Sequence, residues 1–284
     1  MGETEKLKGR RSAGGERAPE VITSTSNDRV KRAVALRDKR ERDRTGLMII
    51  EGVRELGRAV GAGVVLERVY FCPAIIAHDE ERELLASLVA ARTRIVEVSP
   101  RVFEKITYRG GTGGFLAVAQ QPALILADLP PKSNALFLVV DAVEKPGNLG
   151  AIVRSADGAG AAGVIVCDSR TDLYNPNAIR ASIGTIFTVP CAQTEAGAAI
   201  RWLKETETSI VTATPGGTLP YTEIDYTGRC AIVVGAEDAG LTASWLEAAD
   251  LRVTIPMKGA ADSLNVSATA AILLYEALRR RETP

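Results

Sequence analysis

Histidine is almost missing from this chain. The single copy, His78, stands beside the acidic run DEERE. One histidine beside an acidic run nearly excludes catalytic triads built on histidine and metal centres that need several imidazoles. Cysteine is equally sparse. Cys72, Cys167, Cys191 and Cys230 are scattered with no Cys-x-x-Cys pair, so zinc ribbons and dithiol redox motifs are excluded. Three of the four lie in or beside apolar runs, which reads as reduced core thiols in a reducing compartment. No apolar stretch approaches the roughly 20 residues needed to span a bilayer. The N-terminal stretch is polar and charged, without the apolar core of a secretion signal. These absences together predict a soluble, cytoplasmic protein without a metal.

What is present is ordinary in bulk and uneven in distribution. Hydrophobic residues make up 46% and charged residues 25% of 284, enough for two domains, or one large one, with ample material for a core. Net charge is zero, yet residues 1–45 hold thirteen Lys/Arg against eight Asp/Glu. Residues 1–21, rich in Gly, Lys, Arg and Glu, are predicted to be a disordered basic tail. The segment NDRVKRAVALRDKRER then reads as a basic helix with a thin apolar face. Its Arg29, Lys31, Arg32, Lys39 and Arg40 are candidates for contact with a polyanion.

Short apolar runs alternate with helical periodicity along the rest. LMIIEG, LERVYFC, RIVEVS and GFLAVAQ predict the strands of a small α/β module over 22–121. Residues 122–134, with Pro130-Pro131, predict a linker. From 135 to 284 the runs LFLVVD, GVIVCD, TIFTVPC, SIVTATP, CAIVVG and LRVTIPM predict strands separated by helices. That alternation implies an α/β domain with a mostly parallel sheet, whose ligands bind beyond the carboxyl ends of the strands.

One glycine pattern there is a decoy. Gly158 to Gly163 satisfies G-x-G-x-x-G but follows a helix and precedes a strand. A phosphate-binding loop has the reverse context. Three other segments at predicted strand ends are more informative: EKPGNLGAIVRSA, GAEDAGL and IPMKGAADSLNVS. Each has a plainer structural reading. Asn148 suits a helix cap, Arg154 a solvated helix face, Glu237 a first-turn acid, and Ser263 or Asn265 the cap of the last helix. Capping explains one polar side chain per segment. It leaves IPM, GAAD and the second serine of SLNVS unexplained.

Together the three segments resemble the three signature motifs of the SpoU/TrmH family of RNA ribose 2′-O-methyltransferases. The matching positions are Asn148, Gly150, Arg154 and Ala156, then Gly235, Glu237, Gly240 and Leu241, then Ile255 to Met257, Gly259 and Ser263 to Ser267. The first module resembles, more loosely, the family's L30-like RNA substrate-binding extension. The resemblance implies a knotted, SPOUT-type α/β domain with a trefoil knot, working as a homodimer. It implies S-adenosyl-L-methionine held by Gly235, Ile255, Met257 and Leu264, and Thr214, at the end of the run SIVTATP, is expected to line the same cavity. It assigns catalytic roles to Asn148, Arg154, Glu237, Ser263 and Asn265, with no metal.

The acceptor would be a ribose hydroxyl, with no histidine available as base. An arginine is a poor base because of its very high pKa, so Arg154 is expected to grip a phosphate and orient the 2′-oxygen. The expected substrate is RNA, ribosomal (23S) rather than transfer RNA, with an antibiotic-resistance role equally compatible. The reading from another class is an RNA-binding protein that has lost catalysis.

Overall fold

The computed structural model describes residues 20–108, 113–130 and 132–282. Two sheets organise the described residues. The first contains β1 (Glu20–Ile22), β2 (Leu47–Glu51), β3 (Leu66–Phe71), β4 (Ile95–Val98) and β5 (Phe115–Gln120) in the order β1-β4-β3-β5-β2. β5 runs antiparallel to both β2 and β3, while β4 is parallel to β1 and β3. β1 thus begins two residues inside the stretch assigned to the tail. The tail expectation otherwise falls on residues outside those described.

The predicted long basic helix is two helices, α1 (Asp28–Ala35) and α2 (Lys39–Thr45). The break has a local cause. Asn27 caps the first through Arg29 N, and Asp38 caps the second through Arg40 N. An Asp with its carboxylate on the amide two residues ahead favours a new start over a continued helix. Helices α3 (Val53–Gly61), α4 (Asp79–Ala90) and α5 (Pro100–Ile106) complete the module.

The second sheet has seven strands, all parallel. They are β6 (Leu136–Asp141), β7 (Gly163–Cys167), β8 (Cys191–Thr194), β9 (Ser209–Ala213), β10 (Leu219–Pro220), β11 (Cys230–Val234) and β12 (Leu251–Thr254), in the order β10-β12-β9-β11-β6-β7-β8. Its helices are α6 (Pro146–Gly158), α7 (Pro176–Ala181), α8 (Ala196–Glu205), α9 (Ala243–Ala248) and α10 (Val266–Glu282). TIFTVPC is not one strand. Gly184, at φ +82°, turns Thr185–Phe187 into a 3-10 helix, and pairing with β7 starts only at Cys191.

Continuous apolar strands serve both faces of this sheet. Leu136, Leu138 and Val140 of β6 pack on one side, Phe137 and Val139 on the other. The first of those cores continues into the first module through Met48, Ile50 and Leu56. The intervening segment is stitched down rather than free. Leu124 bridges Ala192, and the Tyr174 hydroxyl donates to Pro122 O at 2.8 Å. Arg42, on α2, is 1% exposed and pairs with Asp172 of the second module at 2.5 Å. All four cysteines are buried and free. No described helix is long and apolar enough to cross a membrane.

Candidate active site

β6 and β11 are neighbours, but the chain leaves them in opposite directions: β6 leads to β7, while β11 leads to β12 beyond β9. Loops departing to opposite sides open a crevice at the carboxyl ends of the strands. The segments 142–148 and 235–241 meet there, and the stretch before α10 closes over them.

Glu237 is the junction. Its Oε1 accepts from Asn148 Nδ2 at 2.8 Å and from Asn265 Nδ2, and its Oε2 accepts from Lys145 Nζ. One carboxylate therefore ties all three polar segments. The Lys145 ammonium, followed by the Asn148 amide, holds the Glu237 carboxyl below the usual carboxylate range, and Lys145 is raised in return. A lowered carboxylate pKa keeps the network charged as pH falls through the ordinary carboxylate range, and it is lost only below that range.

Local structure frees each side chain for this purpose. Asn148 is not the cap of α6: Pro146 occupies the first helical position with Lys145 as N-cap. Proline needs no N–H there and has the right φ. The helix therefore starts before Asn148, whose amide is left for Glu237. Asn265 does two things at once. Its Oδ1 accepts from Ser267 N at 3.0 Å at the start of α10, while its Nδ2 reaches Glu237.

Beside this junction is a cavity of about 470 Å³. Thr214, Gly235, Ile255, Met257 and Leu264 all line it, as do Glu237 and Ser263. A Cβ on Gly235 would lie 2.4 Å from Gly240 C and 2.7 Å from Leu241 N, so only glycine lets the backbone fold back on itself there. Gly240 itself sits at φ +67° and donates to Ala236 O at 3.0 Å. A second cavity of about 280 Å³ shares the wall Ala236 to Asp238 and is otherwise lined by Val143, Glu144, Lys145 and Asn148.

Arg154 is not brought into this network. It is exposed on α6 and lines neither cavity. Among the described residues no hydrogen bond or ion pair engages it. Of the basic candidates, Lys31 pairs with Asp28 at 3.3 Å and Lys39 with Asp43 at 2.6 Å, while Arg32 and Arg40 are exposed. Sequence reasoning left out Lys145, and it matched the cavity-lining Leu241 to a motif without giving it a site role. Both lie inside the segments that carried the resemblance, so position was the available signal. Among the described residues no cluster of His, Cys, Asp and Glu could hold a metal ion.

A parallel sheet with a cavity of mixed polar and apolar lining and a tied polar cluster at its carboxyl edge defines an α/β domain that binds a ligand among its strand-end loops. Residues 135–275 match the SpoU rRNA Methylase family, and residues 27–117 match the MRM3-like substrate binding domain. The 23S rRNA (uridine(2479)-2′-O)-methyltransferase of Streptomyces viridochromogenes is 32% identical, covering 94% of this chain and 95% of that protein. The 23S rRNA (guanosine(2553)-2′-O)-methyltransferase RlmP of Bacillus subtilis is also 32% identical, covering 89% and 97%. A crystal structure of an RNA 2′-O ribose methyltransferase superposes with a TM-score of 0.81 at 42% identity, over 92% of this chain and 99% of that one. The SpoU methyltransferase AviRb from Streptomyces viridochromogenes, solved with AdoMet, gives 0.84 at 30% identity, over 90% and 99%. This chain belongs to the SpoU family of RNA methyltransferases.

Proposed function

We propose that this protein transfers a methyl group from S-adenosyl-L-methionine to a ribose 2′-hydroxyl of 23S ribosomal RNA. The observation that carries the proposal is the pair of adjoining cavities whose shared wall bears Glu237 with Lys145, Asn148 and Asn265 gathered on it. The cavity of about 470 Å³ is in the range of nucleoside-sized ligands. Its Gly235–Gly240 fold and the apolar side chains of Ile255, Met257 and Leu264 suit an adenine read by backbone groups. The bound donor supplies an electrophilic sulfonium methyl, whose positive charge disperses as the methyl leaves.

The chain's own residues align the acceptor. Ser263 and Asn265 position the ribose and its loop, Asn148 braces the site, and Glu237 fixes the three segments relative to one another. Arg154, exposed and uncommitted among the described residues, is available to grip the neighbouring phosphate and orient the 2′-oxygen. Rate then comes from alignment. Residues 22–121, with β1 added, serve as the RNA-holding L30-like module, its basic α1 and α2 presenting Arg29, Lys31, Arg32, Lys39 and Arg40. Residues 122–134 connect it to the methyltransferase domain of 135–284, in which the loops around β11, β12 and α10 form a trefoil knot. The protein works in the cytoplasm as a homodimer, which light scattering at micromolar concentration checks; a monomer contradicts it.

The cofactor assignment has a direct test. Purified protein is expected to bind S-adenosylhomocysteine in a calorimeter without added metal. Leu264→Arg is expected to abolish binding, because a charge would enter the apolar slot. Unchanged affinity in that variant would remove the cavity from cofactor binding.

A further inference from the structure

A fully buried acid near the crevice is not one of the residues the motifs contain. Asp141, the last residue of β6, is fully buried. Its Oδ2 accepts from the Thr242 amide at 3.5 Å and from the Thr242 hydroxyl at 3.4 Å. Its Oδ1 and the indole nitrogen of Trp245 are both buried and, among the described residues, make no other hydrogen bond, and the Trp245 side chain is the next donor after the Thr242 amide to favour the charged carboxylate. Burial holds the carboxyl above its usual range, against the pull of the Thr242 amide. Burying an acid at the end of a parallel strand is costly, so its position calls for a reason.

Thr242 supplies one. It occupies the N-cap of α9, where a threonine hydroxyl ordinarily accepts from the first turn, yet it makes no side-chain cap bond. The hydroxyl faces Asp141 and Ser244 Oγ instead. The preceding residue, Leu241, lines the larger cavity, and Gly240 folds back on Gly235. The loop 235–241 is therefore held on both sides of its turn. Glu237 ties it outward to Lys145 and Asn148, which follow β6, and Asp141 ties its far end inward to β6 itself.

We propose that Asp141 is a positioning residue for the cofactor site, acting through Thr242 to set the height of Leu241 and Gly240 in the cavity. The inference rests on the cavity holding S-adenosylmethionine. It requires a neutral or anionic acceptor at position 141, and neither a proton transfer nor a contact with the ligand.

The test is a double-mutant cycle read by calorimetry with S-adenosylhomocysteine. Asp141→Ala should weaken binding about tenfold and Thr242→Val about threefold, while the double variant should be no weaker than Asp141→Ala alone, since both remove one interaction. Asp141→Asn, which keeps an acceptor of the same shape, should stay within about threefold of wild type. Affinity for a 23S rRNA transcript should be unchanged in all four. In turnover, the KM for S-adenosylmethionine should rise with little change in kcat, a split that general loss of folded protein does not produce. If Asp141→Ala is recovered unfolded, Thr242→Val decides: normal melting with unchanged affinity overturns the proposal. Fully additive effects overturn it as well. A wild-type protein that binds no S-adenosylhomocysteine instead overturns the cofactor reading beneath it, which no failure confined to the variants would do.

Discussion

The two modules use their charged residues in opposite ways. In the first, the basic helices satisfy themselves locally: Lys31 with Asp28, Lys39 with Asp43 and Arg44 with Glu41, all within one turn of helix. In the second, Glu237 collects Lys145 and Asn148 from one distant segment of the chain and Asn265 from another, so that three segments with its own are joined. Exposed pairs one turn apart are worth little and can exchange for another anion without disturbing the fold. A carboxylate that joins three segments fixes the relative height of three loops. The first arrangement suits a surface that greets a polyanion, the second a site that must hold a reacting group still. Arg42 with Asp172 is a third kind, a buried pair that sets one module against the other.

The largest effect that could break this contrast concerns Arg154. It belongs to the second module yet stands outside the network. Arg154→Ala is expected to lower methyl transfer by about a thousandfold, because misalignment alone can remove several kcal/mol of barrier lowering. Folding and cofactor affinity should survive, since the side chain is exposed. Arg154→Lys keeps the charge without the planar fork and should retain a small fraction. Single-turnover methylation across pH separates this from a base role. A Lys variant whose rate climbs steeply with pH would overturn the positioning account.

Next comes the joint between the modules. Arg42→Ala leaves Asp172, whose side chain is only 13% exposed, without its partner. Breaking a buried pair from one side costs about 3 kcal/mol, so a clear drop in the thermal midpoint is expected. A midpoint unchanged by calorimetry would mean the modules are held by their shared apolar core and by other crossing contacts such as Arg58 on Ile183 O.

The smallest effect tests the first module. Replacing Arg29, Lys31, Arg32, Lys39 and Arg40 with Ala should weaken RNA binding and flatten its salt dependence. The log–log slope should shrink by about 0.7 for each phosphate that the protein no longer neutralises. Cofactor affinity should stay the same. RNA affinity that survives at low and moderate salt would reduce these helices to solvated faces.

The same contrast explains what the sequence disclosed. Strand runs such as LFLVVD and CAIVVG were legible because burial on both faces leaves a continuous apolar signature. Four cavity residues were legible through the resemblance and Thr214 through its place at the end of a strand run, and all five line one cavity. What was not legible depended on capping and on distance along the chain. Asn148 read as a cap because Asn favours caps, but Pro146 had already begun the helix. The break between α1 and α2 lay in Asp38, whose cap a helical apolar pattern does not register. Lys145 finds its acid in Glu237, well outside any window of periodicity. Asp141 was hidden for the same reason, at the end of a run that reads as pure core.

The most direct measurement is the position of the transferred methyl. Wild-type protein, labelled S-adenosylmethionine and 23S rRNA from cells lacking the gene are incubated together, and the RNA is then hydrolysed in alkali. A 2′-O-methyl group blocks cleavage at its own phosphodiester. The account predicts a single labelled, alkali-resistant dinucleotide from 23S rRNA and none from transfer RNA. Label released in a base-methylated mononucleotide, or found only in transfer RNA, would contradict it.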